Sequence, residues 1–140
     1  MQQTQLHIRP YQSDDEEQVV ALWYCCNLVR HGINPQEEIR RKVTFQPELF
    51  LVGLLECQVV ATVMAGYEGR RGWLNYVAVS PEYQRQGLGR RIVESAIAQL
   101  KEKGCPKVNL QIVVSNQSVV SFYEGLGFAV EELVSMGRRL

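Results

Sequence analysis

Between Val77 and Arg91 the chain reads Val-Ala-Val-Ser-Pro-Glu-Tyr-Gln-Arg-Gln-Gly-Leu-Gly-Arg-Arg, a stretch that leaves little choice of local structure. An apolar strand ends at Val79, Pro81 has no N–H to carry a ladder further, and a polar loop follows. Gly87 and Gly89 then open a helix whose apolar positions Leu88, Ile92, Val93, Ala96, Ile97 and Leu100 recur at helical steps. The stretch is therefore a strand, a glycine turn and a helix.

Such a turn suits an anion. The first N–H groups of a helix have no partner inside it, and the helix dipole places partial positive charge at the same end. Gly87 and Gly89 carry no Cβ to keep a phosphate away, and Arg85, Arg90 and Arg91 add formal charge nearby. The plainer reading, that the glycines only let a helix start against a sheet, remains open for a lone Gly-x-Gly. Two other phosphate loops are excluded: no Gly-Lys-Ser or Gly-Lys-Thr is present, and no third glycine and acidic residue stand at dinucleotide-fold spacing.

The rest of the chain surrounds this unit with short elements. Leu6 to Arg9 alternates as a first strand, stopped by Pro10. Ser13-Asp14-Asp15-Glu16 has the form of a capping box, and a helix follows through Val19, Val20, Leu22, Trp23, Cys26 and Leu28, with Gly32 as its stop. Pro35 opens a second helix in which Glu37 and Glu38 precede Arg40, Arg41 and Lys42; the basic run reads as a solvated face. Leu49–Glu56 and Val59–Gly66 form two antiparallel strands, Arg70-Arg71-Gly72 turns into the strand Trp73–Val79, and Gly104 ends the long helix. Lys107–Val114 is a fifth strand, Ser115 or Asn116 caps a helix that Gly127 closes, and Phe128–Met136 is a final strand. Periodicity alone gives a mixed α/β domain.

At 140 residues the chain has the length of one domain, residues 1–140, with enough material for a core. Fifteen basic and fifteen acidic residues cancel, whereas a nucleic-acid binder normally carries a basic excess, so no nucleic-acid partner is expected. No apolar run approaches the roughly 18 residues of a membrane span. The start Met-Gln-Gln-Thr-Gln-Leu-His lacks the basic and apolar regions of a signal peptide, and the expected location is the cytoplasm. Cys25, Cys26, Cys57 and Cys105 show no Cys-x-x-Cys spacing and read as buried reduced thiols, with no metal site expected.

Gln84-Arg85-Gln86-Gly87-Leu88-Gly89 resembles the Gln/Arg-x-x-Gly-x-Gly/Ala signature of the GCN5-related N-acetyltransferase (GNAT) family, and Tyr76 to Tyr83 resembles that family's fourth strand and the loop after it. Asn116 to Phe128 is similar to the family's Asn-x-x…Tyr-x-x-x-Gly-Phe element, so the resemblance spans essentially the whole chain. It implies an acyl-CoA N-acyltransferase fold of class α/β (α+β), with a mixed, mostly antiparallel central sheet flanked by helices.

The resemblance also implies acetyl-CoA as acyl donor and direct attack by a primary amine. Val77, Ala78 and Val79 would line the pantetheine arm; the N–H groups of Gln84, Arg85, Gln86, Gly87, Leu88, Gly89 and Arg90 would hold the pyrophosphate; Asn116 and Tyr123 would also touch the cofactor. Tyr123 is the expected general acid for the leaving thiolate, against the alternative of a core tyrosine beside Phe122 and Phe128. Glu68 is the nearest carboxylate for a base acting through water, or a surface glutamate on a loop; Tyr76 and His31 are weaker candidates. Trp23, Arg30, His31 and Tyr67 lie where the acceptor would enter, Trp23 and Tyr67 reading equally well as core residues, and Arg30 suits a carboxylate or phosphate on the acceptor. The acceptor is a small molecule, or a protein N-terminus or lysine; a non-catalytic acyl-CoA-binding regulatory module is the reading from another class. A homodimer is compatible with the resemblance, with the apolar final strand as an edge.

Overall fold

The computed structural model describes residues 5–140, and the chain divides into two compact units, Met1–Leu110 and Gln111–Leu140. The first carries a five-stranded sheet in the order β1 (His7–Pro10), β2 (Phe50–Leu55), β3 (Gln58–Tyr67), β4 (Gly72–Val79) and β5 (Val108–Leu110). Neighbours up to β4 are antiparallel, and β4 and β5 run parallel. This is the mixed, mostly antiparallel sheet that the family resemblance implies.

Successive residues of a strand point to opposite faces, and β3 divides the core accordingly. Val59 and Met64 pack with Val19, Val20, Leu22 and Trp23 of α1 (Glu16–Cys25) and Ile39 of α2 (Pro35–Val43). Val60 packs with Leu88 of α3 (Leu88–Glu102) and with Leu6 and Leu55. Leu88, Ile92, Val93, Ala96 and Leu100 form the buried stripe of α3, each large apolar side chain contributing about 2 kcal/mol to the folded state. Asn34 accepts the Glu37 N–H ahead of Pro35, so α2 starts as its sequence predicts.

Several expectations are corrected. The Ser13 capping box is displaced by one residue: a short 3-10 turn, Ser13–Asp15, precedes α1, and Asp15 rather than Glu16 accepts the N–H of Gln12 at 2.8 Å. The cause lies in β1, where Arg9 takes the Asp15 carboxylate with both guanidinium nitrogens at 2.7 and 2.9 Å. α1 also stops well before Gly32. Asn27 adopts a left-handed φ of 57°, and the Leu28 N–H returns to the Trp23 carbonyl, closing the helix at Cys25. None of the four cysteines is fully buried: Cys25 and Cys57 are exposed, Cys26 and Cys105 intermediate, all as free thiols.

The largest correction is at the C-terminal end of the chain. β5 is paired only over Val108–Leu110 rather than Lys107–Val114, and Phe128–Met136 forms no strand. Residues with strand propensity become a strand only within a ladder, and among the described residues no strand ladder includes this segment. Its apolar side chains Val130, Leu133, Val134 and Met136 are exposed. The edge expected for a homodimer is therefore absent among the described residues. The second unit is built on α4 (Gln117–Glu124), closed as expected by Gly127 at φ 95°, where the Phe128 N–H returns to the Tyr123 carbonyl at 3.0 Å.

Candidate active site

The start of α3 is set by its loop. Arg85 at φ 66° and Gly87 at φ 81° are both left-handed, the second at no steric cost because glycine has no Cβ. Gly87 is the cap residue and carries no side chain to accept a helical N–H, while the first intrahelical bond is from the Arg91 N–H to the Gly87 carbonyl. The N–H groups of Leu88, Gly89 and Arg90 consequently have no partner among the described residues, at the positive end of a 15-residue helix. Gln84 is turned back to brace the loop, donating to the Val79 carbonyl at 3.1 Å. The three arginines differ. Arg90 pairs with Glu94 along the helix, and Arg91 donates to the Leu6 carbonyl, whereas the exposed Arg85 has no side-chain partner among the described residues.

β4 presents an unpaired edge beside this loop. Its ladder with β5 covers only Gly72–Leu74, although the strand runs on to Val79. Its ladder with β3 is broken as well: Thr62 faces Ala78 and Met64 faces Asn75, so Val63 of β3 alone opposes Tyr76 and Val77 of β4. Tyr76 takes the strain of this bulge at φ 51°. A bulge and an open edge together free backbone groups over the stretch that contains Val77, Ala78 and Val79.

The bulge is held from behind by residues that sequence reasoning assigns elsewhere or overlooks. Trp23 is fully buried and has no surface to offer an acceptor; its indole stacks under Tyr76 with centroids 3.9 Å apart. Its N–H donates at 3.0 Å to the Thr62 hydroxyl, which donates at 2.8 Å to the Tyr76 carbonyl. Of the two sequence readings of Trp23, acceptor contact or core, its burial favours the core, where it supports β4. Thr62 went unnoticed because it sits in a valine-rich strand, where threonine is an ordinary β-former. The Tyr76 phenol, pushed up to about 12 mainly by burial and then by the Glu38 charge, holds its proton at neutral pH.

Of the other acceptor-side residues, Arg30 and His31 are exposed in the α1–α2 connection. Tyr67 ends β3, and Gln46 clamps it there: the Gln46 amide donates to the Tyr67 carbonyl and accepts the Tyr67 N–H, both at 2.8 Å. Glu68 follows in the turn, where one oxygen, Oε1, accepts the N–H groups of Arg70 and Arg71. Those bonds hold the fully exposed carboxyl below its ordinary range, which weakens it as a base, while Oε2 has no hydrogen bond among the described residues. The basic run of α2 is divided. Arg40 and Arg41 are exposed and pair with Glu37 and Glu38, as a solvated face should, but Lys42 is turned inward. Its three-residue step from buried Ile39 was the available signal.

In the second unit Asn116 stands at the start of α4, its Oδ1 accepting from Ser118 at 3.2 Å. Tyr123 is edge-to-face with both Phe122 and Phe128, at 5.0 and 5.5 Å. Burial pushes its phenol up to about 12.

The residues present fit an acyl-CoA on their own chemistry: open N–H groups and an unpaired arginine suit a pyrophosphate, and an unpaired strand edge suits an amide-bearing arm. The model of the acetyltransferase (GNAT) family matches residues 16–128. The chain belongs to that family. Acetyl transfer is its reaction class, and the match runs across both compact units. A protein of Yersinia pestis (strain Pestoides F) named an acetyltransferase is 36% identical over 135 residues, covering 96% of each chain. Among solved structures, Ard1 from Thermoplasma volcanium superposes with a TM-score of 0.77 at 18% identity over 90% of this chain and 84% of its own. An aminoglycoside N-acetyltransferase in complex with CoA gives 0.76 at 15% identity over 99% and 97%. At those identities the two structures establish the fold. No helix among the described residues is long and apolar enough to cross a membrane.

Proposed function

We propose that this chain is a cytoplasmic, single-domain acetyltransferase that uses acetyl-CoA to acetylate a primary amine by direct attack, with Tyr123 as the proton donor to the leaving sulfur. The observation that carries the reading is the start of α3, where three open N–H groups, the left-handed Gly87 and the unpaired Arg85 stand beside the open edge of β4. When bound, acetyl-CoA supplies the acetyl group as an activated thioester, whose C–S bond breaks as the amine nitrogen bonds to the acetyl carbon.

The chain's own residues have separable tasks. The N–H groups from Gln84 to Arg90 and the Arg85 guanidinium hold the pyrophosphate, and the backbone of Val77–Val79 takes the amides of the arm. Asn116 contributes a further polar contact. The Glu68 Oε2 accepts the amine proton through water, at a basicity lowered by the two N–H groups on Oε1. Tyr123 keeps its proton throughout the neutral range, since burial holds its pKa near 12. A thiol with a reference pKa of about 8.5 is the stronger acid, so the phenol first donates a hydrogen bond to the sulfur and follows with the proton as charge builds there. Arg30, His31 and Tyr67 face the acceptor.

The test is a melting-temperature comparison of the protein alone, with acetyl-CoA, with free CoA and with ATP, followed by thiol release across an amine and peptide panel. Selective stabilisation by the CoA species and turnover on at least one amine are expected, with about 2.7 kcal/mol of added stability at a hundredfold excess over Kd. Stabilisation without thiol release on any acceptor would mean a binding module, and no stabilisation by either CoA species would end the reading.

A further inference from the structure

We propose that the cleft between the end of α2 and the β3–β4 hairpin binds the carboxylate of the acceptor, with Lys42 as its counter-charge, so that the acceptor is a small amine bearing a carboxylate and an apolar body. This rests on the acetyltransferase reading above and names its acceptor class. The cleft has a volume of about 180 Å³. That is the space of roughly six waters and suits a molecule of amino-acid size. Phe45, Met64, Tyr67 and Trp73 give it apolar walls, Asn75 a polar one, and Lys42 a cation.

Lys42 is the anomaly. An ammonium group brings three donors, yet among the described residues it has neither a hydrogen bond nor an ion pair, and the Phe45 ring lies 5.7 Å from the nitrogen. The neighbouring Glu48 is bonded to Lys103 at 2.7 Å and acts on Lys42 only through space, its charge favouring the ammonium without an ion pair or hydrogen bond to it. Glu68, the carboxylate that lines the cleft, directs Oε1 to its own turn. A half-buried ammonium that no hydrogen bond or ion pair satisfies costs stability, and burial lowers the lysine's pKa by more than the nearby Glu48 charge raises it, with the Lys103 charge adding to the fall. Such a group is retained at a cost unless an anion from outside completes it.

The occupant follows from charge and position. One ammonium balances one carboxylate, whereas a phosphate dianion would leave a charge over, since Lys103 is committed to Glu48. The walls favour an apolar or aromatic body beside the acid. Gly66 has no side chain to screen the ammonium, and a Cβ there would stand 3.7 Å from Nζ. Asn75 immediately precedes the Tyr76 bulge, so the cleft adjoins the stretch of β4 whose other edge is open. An acceptor anchored at Lys42 has its amine to present toward that stretch.

The experiment is calorimetric titration of the full chain with phenylalanine and with phenylalaninamide, which keeps the amine and loses the acid. It is repeated on Lys42→Met, on Lys42→Gln in case the first folds poorly, and on Arg40→Met, which removes an exposed charge from the same helix. Wild type and Arg40→Met are expected to prefer the acid by tenfold to a hundredfold, the span of a charge-assisted hydrogen bond, and the Lys42 variants to lose that preference. O-Phosphoserine tested alongside should bind more weakly than phenylalanine. Equal binding of acid and amide by wild type, no binding of phenylalanine at millimolar concentration, or a preference that survives in both Lys42 variants would overturn the proposal; tighter binding of the phosphate would transfer the cleft to a different ligand class and also overturn it. Melting with acetyl-CoA is scored separately. A Lys42-dependent preference in a protein that acetyl-CoA does not stabilise would leave the anion cleft standing and remove only the acetyltransfer reading.

Discussion

The rings of Trp23 and Tyr76 stack 3.9 Å apart, and Thr62 joins them by accepting the indole N–H and donating to the Tyr76 carbonyl. All three serve one purpose, to hold a left-handed residue in the middle of a strand. A non-glycine residue at φ 51° costs about 1–2 kcal/mol and needs surroundings that insist on it. Thr62→Val keeps the shape but strands a buried indole N–H, and should lower unfolding stability by about 2 kcal/mol in urea titration. If the bulge matters to chemistry, kcat should fall in this variant while the Kd for acetyl-CoA stays the same. Thr62→Ser, which retains both bonds, should keep kcat close to wild type.

Gly87 separates the cost of backbone strain from the cost to a ligand. A Cβ at this position meets no atom of the chain within 4 Å, so Gly87→Ala loses only the freedom to adopt φ 81°. That should cost about 1 kcal/mol of stability. Acetyl-CoA affinity should fall much further, by more than tenfold, because the loop must shift to relieve the strain and the open N–H groups at the start of α3 move with it. A melting-temperature loss with unchanged acetyl-CoA binding would make the glycine a helix start and nothing more.

Acid should unfold the first unit partly through Asp15. Its carboxylate is 4% exposed, doubly bonded to Arg9 and bonded to the Gln12 N–H, and its pKa is lowered chiefly by the Arg9 hydrogen bonds. A depressed carboxyl pKa contributes stability that is fully present above the unfolded value of 3.8 and is lost as pH falls through the folded one. Asp15→Asn should therefore cost about 3 kcal/mol at pH 7, since it leaves the guanidinium without its charge partner. The deficit against wild type should shrink on titration below pH 4, which stability measured across pH 2–7 will show.

What was legible in the sequence was local. Pro35 at the head of α2, the apolar stripe from Leu88 to Leu100 and the Gly127 closure each depend on a few neighbouring residues, and each stands in the structure. The features that were missed depend on distant partners. The Ser13 box yields to Asp15 because Arg9 reaches in from another element, and Lys42 parts from Arg40 and Arg41 only when α2 lies against β3. Nothing in Asn-Tyr-Val announces a bulge at Tyr76, which is fixed by Trp23 and Thr62 from elsewhere in the chain. Phe128–Met136 has a strand's composition and lacks a strand's partner.

Tyr123 gives the sharpest kinetic expectation. Tyr123→Phe removes one oxygen and leaves the edge-to-face packing on Phe122 and Phe128 in place, so its melting temperature should hold within a degree or two. Proton donation is worth about a hundredfold to ten-thousandfold, and the loss should appear in kcat with little change in KM for either substrate. The pH profile supplies a second check. With the phenol pushed up to about 12, Tyr123 stays protonated through the whole alkaline range of a normal assay, so it imposes no fall in rate below about pH 11. The rate should instead rise with pH as the acceptor amine loses its proton, and Tyr123→Phe should show the same rise at a lower plateau. A wild-type rate that falls between pH 8 and 10 and a variant that does not would assign Tyr123 a pKa too low for this environment and require a different donor.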